Sequence, residues 1–500
     1  MERYICIHGH FYQPPRENPW LQTIEPQESA APYHDWNERI TAECYAPNAA
    51  SPILDRDQRV IQTVNNYAKI CFNFGPTLLS WMETHRADVY QAILEADRLS
   101  RERFSGHGSA LSQVYNHMIM PLANRRDKQT QAIWGIKDFQ KRFGRFPEGM
   151  WLPEAAVDLE TLEILAALGI KFTILAPHQA QNVKEIGRGE WHDVSGGQID
   201  PTTAYLCCLP SGRSINVFFY NGLISLDVAF GDLLNNGELF AKKLLSAFSD
   251  QNDRPQIVHI ATDGETYGHH RRYGDMALGY CLYSLESNES ARLTNYGEYL
   301  EKYPPTQVVE IVESSSWSCA HGVERWRDNC GCNTGMHPGW TQPWRKPLRQ
   351  AMDWLRDHIA GIYDEAAAIY LSDPWEARNN YIEVMLDRSP GRVEKFLKMH
   401  AHRKLTSEER QRLFKLLEMA KNAMLIYTSC GWFFDDIAGI EAVQVMRYAA
   451  RAMELAEEVG GIRLEPEYVR MLKAAPSNLH VNGAKTYELF VKPSPKIALA

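Results

Sequence analysis

The chain has 500 residues, 44% of them hydrophobic and 23% charged, with 53 basic against 62 acidic side chains for a formal charge of −9. That length exceeds one compact core and points to two or three packed units of a soluble globular protein. No basic block marks a nucleic-acid surface and no run of about 18 apolar residues marks a membrane span, so neither partner is expected.

In chain order, short segments rich in β-branched and aromatic residues recur at 4–11, 69–74, 149–152, 172–175, 214–219, 257–262 and 307–312. Helical patterns lie between them. At 158–169, Asp158 suits an N-cap, apolar residues follow at helical spacing, and Gly169 suits a left-handed stop. Strands alternating with helices imply a parallel sheet, and about seven such units imply a barrel. The expected fold is therefore α/β, a (β/α)7 barrel over residues 1–315. A Trp/Cys-rich loop over the site follows at 316–346. Residues 347–470 read as a helical bundle, with Thr406 and Glu409 placed for a capping box and a second amphipathic stretch at 441–459. Residues 471–500 lack a clear period, and the Pro-containing end after Val491 reads as a stop or linker.

The first residues run straight into a strand pattern with no secretory signal, and ten scattered cysteines read as reduced thiols, so a cytoplasmic protein is expected. Within the loop, Cys319-x-His321 and Cys330-x-Cys332 have a metal-like composition, but single-residue spacings are unusual for structural zinc. Packed or redox-sensitive thiols are the preferred reading, with zinc the alternative.

Four strand ends carry polar residues that simple burial does not explain. His8 and His10 lie two residues apart, on one side of a strand, suited to a metal or to sugar hydroxyls. Asn73 sits between two phenylalanines. Trp151 precedes Glu154, a carboxylate that emerges among apolar neighbours. The densest signal is the strand ending in Asp263, Glu265, His269 and His270. Hydrolysis of a glycosidic bond needs two carboxylates flanking it, about 5–5.5 Å apart when configuration is retained. Glu154 and Asp263, on different strands 109 residues apart, could face one pocket in this way.

These segments together resemble glycoside hydrolase family 57. Its pattern is a His-x-His-Gln-Pro strand end, an Asn-containing motif, a Trp-Leu-x-Glu motif and an Asp-x-Glu-x-x-Gly motif. The resemblance covers roughly residues 4–315. It implies a (β/α)7 barrel followed by helices, Glu154 as nucleophile, Asp263 as general acid/base, His10 and Asn73 near the sugar, and neither metal nor other cofactor. Two departures stand out. Phe11 and Tyr12 separate His10 from Gln13 and Pro14, and the stretch His34–Asn37 with the Trp/Cys loop resembles a subgroup with an additional C-terminal domain of unassigned function. Fuller members of that subgroup extend past the point matching residue 500.

Five of thirteen tryptophans fall between Trp317 and Trp354, either stacking surfaces for sugar rings or a packing layer. Trp432 and Asp435 interrupt the helical region, and their segment either completes the sugar subsites or packs internally. The expected substrate contacts are thus His8, His10, Asn73, Trp151, Glu265, His269, Trp317, Trp432 and Asp435. The expected function is a retaining α-glucan hydrolase resembling α-amylase. A 4-α-glucanotransferase or branching enzyme is the alternative within the family. Outside it stand a metal-dependent deacetylase or mannosidase-like enzyme using His8, His10, Asp263 and His269, and a non-catalytic glycan-binding protein.

Overall fold

The computed structural model describes residues 2–251, 253–288 and 290–492. Seven strands run parallel in one closed circuit: β1 (Arg3–Phe11), β2 (Cys71–Phe74), β3 (Ser112–Gln113), β4 (Met150–Trp151), β5 (Phe172–Leu175), β6 (Ser214–Phe219) and β7 (Gln256–Asp263). β1 pairs with β7 on one side and β2 on the other. A parallel bridge from Phe72 to Ala110 leads to β3, which pairs with β4; a second, from Gly149 to Phe172, leads to β5 and then β6. The Asn221 N–H, just past β6, donates to the His259 carbonyl of β7 at 2.8 Å and closes the ring. Closure leaves the barrel strands themselves without a free edge.

Register decides which side chains look inward. On β1, Tyr4 and Cys6 join the interior cluster, and the same face continues through His8 to His10. On β7 the inward row is Ile257, His259, Ala261 and Asp263. His10 lies opposite Asp263 on one neighbour and opposite Asn73 on the other. Alternation along parallel, in-register strands therefore puts these three polar residues in one layer at the C-terminal end of the barrel.

Two sequence expectations need correction. The strand expected at 307–312 forms as Gln307–Ile311 but is not part of the barrel ring. It runs antiparallel to Ala180–Glu185 and bridges Ala204–Cys208 in parallel, extending a six-stranded sheet outward from β5 and β6. The seventh barrel strand is instead β3, two residues long and too short to carry a period.

The helix after Glu154, α1 (Leu159–Ala167), forms as its caps require. Asp158 accepts the Thr161 N–H at 2.9 Å, and Gly169 takes φ +88°.

The chain divides into two compact units. The barrel unit comprises Met1–Gln13, Pro26–Gln113 and Phe139–Trp317; the second comprises Pro14–Glu25, Val114–Asp138 and Ser318–Ala500. In the second unit α2 (Arg345–Ala367), α3 (Ser407–Leu425) and α4 (Ile440–Gly460) pack through apolar stripes that include Leu355, Leu416, Leu417, Met446 and Ala449. The capping box forms: Thr406 Oγ1 accepts from Glu409 N at 3.3 Å and the Glu409 carboxylate from Thr406 N at 2.8 Å. Beyond residue 460, where the sequence had no clear period, two short helices form, Glu465–Leu472 and Gly483–Phe490. Of the stop or linker expected at the Pro-containing end after Val491, all but Lys492 lies outside the described residues. No helix among the described residues is long and apolar enough to cross a membrane.

Candidate active site

The polar layer is tied together by Asn73. Its amide oxygen lies 3.1 Å from His8 Nε2, and its amide nitrogen lies 2.8 Å from His10 Nδ1 and 2.7 Å from the Gln113 oxygen. Trp151 stacks on both histidines, with ring centroids 4.9 Å from His8 and 5.0 Å from His10. Burial holds both imidazoles down to about 3, so they are neutral hydrogen-bonding groups at any physiological pH. His8 and Trp151 are fully buried and His10 nearly so, so all three lie in the barrel interior.

Glu154 leaves β4 through an unusual turn. It has φ 58° and Ala155 has φ 48°, two successive residues in the left-handed region. For L residues this costs about 1–2 kcal/mol each and needs surrounding structure to hold it. Several hydrogen bonds supply that hold. Ala155 N donates to Leu152 O at 2.8 Å, Gln179 Nε2 donates to Ala155 O at 2.8 Å, and Trp317 N donates to Glu154 O at 2.9 Å. The Trp317 indole N–H then reaches Glu154 Oε2, also at 2.9 Å. Trp317 packs edge-on against Trp151 at 5.0 Å and near Tyr220 at 6.4 Å.

Asp263 ends the inward row of β7. Its residue is exposed overall, yet the carboxyl itself is closely surrounded by protein. It accepts no hydrogen bond from a described residue, in contrast to Glu154. Burial, then the charge of Glu154, pushes its carboxyl up to about 7. Two carboxylates sharing one site resist joint ionisation, so one is kept protonated near neutrality. Tyr220 also feels Asp263, and its phenol is raised by burial and by that charge.

The other expected contacts fall differently. Glu265 is buried and turns to Tyr45, whose hydroxyl donates at 2.5 Å, while Tyr12 N donates at 2.9 Å. Burial and then Asp263 raise it to about 8. His269 turns to Glu43, with Nδ1 2.5 Å from the carboxylate. With His8 committed to Asn73 and His269 to Glu43, the four residues His8, His10, Asp263 and His269 form no common ligand set among the described residues. Trp432 and Asp435 lie in the second unit. Trp432 is buried with its indole N–H on Arg345 O at 3.3 Å, and Asp435 accepts from Thr334 N at 2.9 Å, as packing residues do. Gln113, Gln179, Tyr220 and Tyr45 were not singled out from sequence. Each is an ordinary polar or aromatic residue whose role appears only once the strands are aligned.

Glu154 held by the Trp317 indole, Asp263 raised to about 7, and two neutral histidines braced by Asn73 and Trp151 thus come together at the C-terminal end of the barrel. The model of Glycosyl hydrolase family 57 matches residues 33–312. The chain belongs to glycosyl hydrolase family 57. Residues 340–498 match a domain of unknown function, DUF3536, in keeping with the extra C-terminal part implied by the sequence. Among curated relatives, a 4-alpha-glucanotransferase of Thermococcus litoralis is 22% identical over 263 residues, half of this chain. The match spans 36% of that relative's length. Among solved structures, an exo-type maltose-forming amylase of Pyrococcus sp. ST04 superposes with a TM-score of 0.70 at 16% identity, covering 94% of this family 57 chain and 83% of that one. A branching enzyme of Pyrococcus horikoshii gives 0.57 at 15% identity, covering 97% and 94%. At these identities the superpositions speak for the fold.

Proposed function

We propose that this family 57 chain is a retaining glycoside hydrolase or transglycosylase acting on α-glucan in the cytoplasm, with Glu154 as nucleophile and Asp263 as general acid/base. One observation carries the reading: Asp263 is held protonated to about 7 by its setting and by the charge of Glu154, while the Trp317 indole donates to Glu154. In the first half-reaction Glu154 attacks the anomeric carbon and forms a glycosyl ester. Asp263 gives its proton to the departing oxygen. In the second half Asp263, now ionised, takes a proton from water or from an acceptor sugar hydroxyl, whose oxygen displaces Glu154 with net retention. In this reading His10 meets a sugar hydroxyl and Trp317 packs against the sugar ring. Ten cysteines, none of them in a disulfide among the described residues, support a reducing compartment. The relatives' names, amylase, glucanotransferase and branching enzyme, support the glucan class and leave hydrolysis and transfer both open.

Incubation with maltooligosaccharides, resolved by product chromatography, tests this reading. Shortened products alone mean hydrolysis, and longer ones alongside mean transfer. Glu154→Gln and Asp263→Asn are each expected to lower turnover by about 10²–10⁴-fold with the fold retained. Near-native turnover in either variant overturns that residue's role.

A further inference from the structure

The Trp/Cys-rich loop brings four potential ligands to one point. Cys319, His321, Cys330 and Cys332 each offer one atom, and all four atoms lie within 4.8 Å of one another. Cys319 Sγ is 3.9 Å from Cys330 Sγ and 3.8 Å from Cys332 Sγ, and Cys332 Sγ is 3.6 Å from His321 Nδ1. Zinc bound tetrahedrally, with Zn–S about 2.3 Å and Zn–N about 2.0–2.1 Å, sets its ligand atoms about 3.8 Å apart for two sulphurs and about 3.6 Å for sulphur and nitrogen. The separations in this chain match both values. A disulfide requires about 2.05 Å, would pair only two of the three thiols, and would leave the imidazole without a purpose.

From this convergence we infer that Cys319, His321, Cys330 and Cys332 form a structural zinc site. Single-residue spacing argued against zinc in the linear sequence. The fold removes the objection, because Gly331 at φ +83° separates Cys330 from Cys332 and lets the chain turn so that both sulphurs converge. Cys319 is buried, Cys330 and Cys332 are half-buried, and His321 is exposed. Four protein ligands leave no open position, which suits a structural rather than a catalytic ion.

Charge supports the same assignment independently. Arg345 is fully buried and Arg325 is 5% exposed. Their recorded hydrogen bonds run to backbone carbonyls rather than carboxylates: Arg345 to Cys332 O at 2.8 Å and Trp432 O at 2.9 Å, Arg325 to Phe433 O at 2.9 Å and Ser318 O at 3.4 Å. A divalent ion on three thiolates and a neutral imidazole carries one net negative charge, placed beside both guanidiniums. The ion would thereby fasten the loop to the Trp432–Phe434 backbone through the two arginines.

Metal analysis of the full chain, purified without chelator, is expected to find close to one zinc per chain. Cys330→Ser and His321→Ala should each lower that content several-fold. Should those variants be insoluble, Co(II) loading of the unaltered chain decides: thiolate charge-transfer bands with intense visible d–d bands are expected. Metal-free protein that also fails to give this cobalt spectrum overturns the site. So does a native disulfide among Cys319, Cys330 and Cys332 found by mass spectrometry. None of these readouts depends on activity toward glucan.

Discussion

Trp317 grips Glu154 at both ends: its backbone N–H donates to the Glu154 carbonyl at 2.9 Å, and its indole N–H donates to Oε2 at 2.9 Å. The first bond stabilises a left-handed turn and the second orients the carboxylate. Trp317→Phe keeps the ring's packing on Trp151 and the main-chain bond but removes the indole donor. A hydrogen bond to a charged group contributes about 1.5–3 kcal/mol, so turnover is expected to fall roughly ten- to a hundredfold. Single-turnover kinetics on a maltooligosaccharide would locate the loss in the glycosylation step; an unchanged rate there would deny the indole any role in orienting Glu154.

With Asp263 as the proposed general acid, its protonation is expected to set the alkaline side of the activity profile. Burial and Glu154 raise its carboxyl to about 7, and in the proposed mechanism it is the acid form that protonates the leaving group. The profile of kcat/KM for a maltooligosaccharide should therefore fall as pH rises through about 7. A substrate with an activated leaving group needs no proton from Asp263 in glycosylation, so the decline should weaken for that step. An alkaline limb that stays identical for both substrates would assign the titration to another group.

Gln179 acts on the same turn from the other side. It is fully buried; its amide nitrogen holds Ala155 O at 2.8 Å and Ser315 Oγ at 3.1 Å, while its oxygen takes Ala176 N at 2.8 Å. Gln179→Met preserves bulk but leaves buried backbone groups unpaired, a cost of about 1–3 kcal/mol for each. Two effects are expected together: a lower thermal midpoint and a reduced kcat at nearly constant KM. A stability loss without any kcat effect would make Gln179 a packing residue only.

Much of this was legible in the linear chain because buried parallel strands are unbroken apolar runs. Residues 257–262 announce such a run, and a polar Asp263 at its end signals the barrel mouth. The strands at 172–175 and 214–219 emerge with the expected bounds for the same reason. Ser112 and Gln113 form the seventh barrel strand with too few residues to show a period, whereas 307–312 has an excellent strand pattern but joins the outer sheet. Pattern reports that a segment is extended and half-covered, not which neighbour covers it. The same limit applies to side chains. Glu265 reads as a second acid beside Asp263, yet two residues along the turn it is aimed at Tyr45.

That difference between the two acids can be measured. Glu265 is buried and raised from 4.5 to about 8 by burial and then by Asp263, so near neutrality it is already an uncharged acid receiving hydrogen bonds from Tyr45 and Tyr12. Glutamine has nearly the same shape and also keeps a carbonyl acceptor, so Glu265→Gln should retain activity within about threefold at pH 7, where Asp263→Asn loses it. Stability separates the two forms of residue 265 further. Between 4.5 and about 8 the unfolded chain has released this proton and the folded chain retains it. The folded state then binds more protons, and its stability declines as pH rises across that interval. At pH 9 the glutamine variant escapes that decline, worth on the order of several kcal/mol for a shift of this size. Urea unfolding at pH 5 and pH 9 should show the variant gaining on the parent only at the higher pH; a parent chain equally stable at both would mean that Glu265 ionises freely and that its carboxyl is not held by Tyr45.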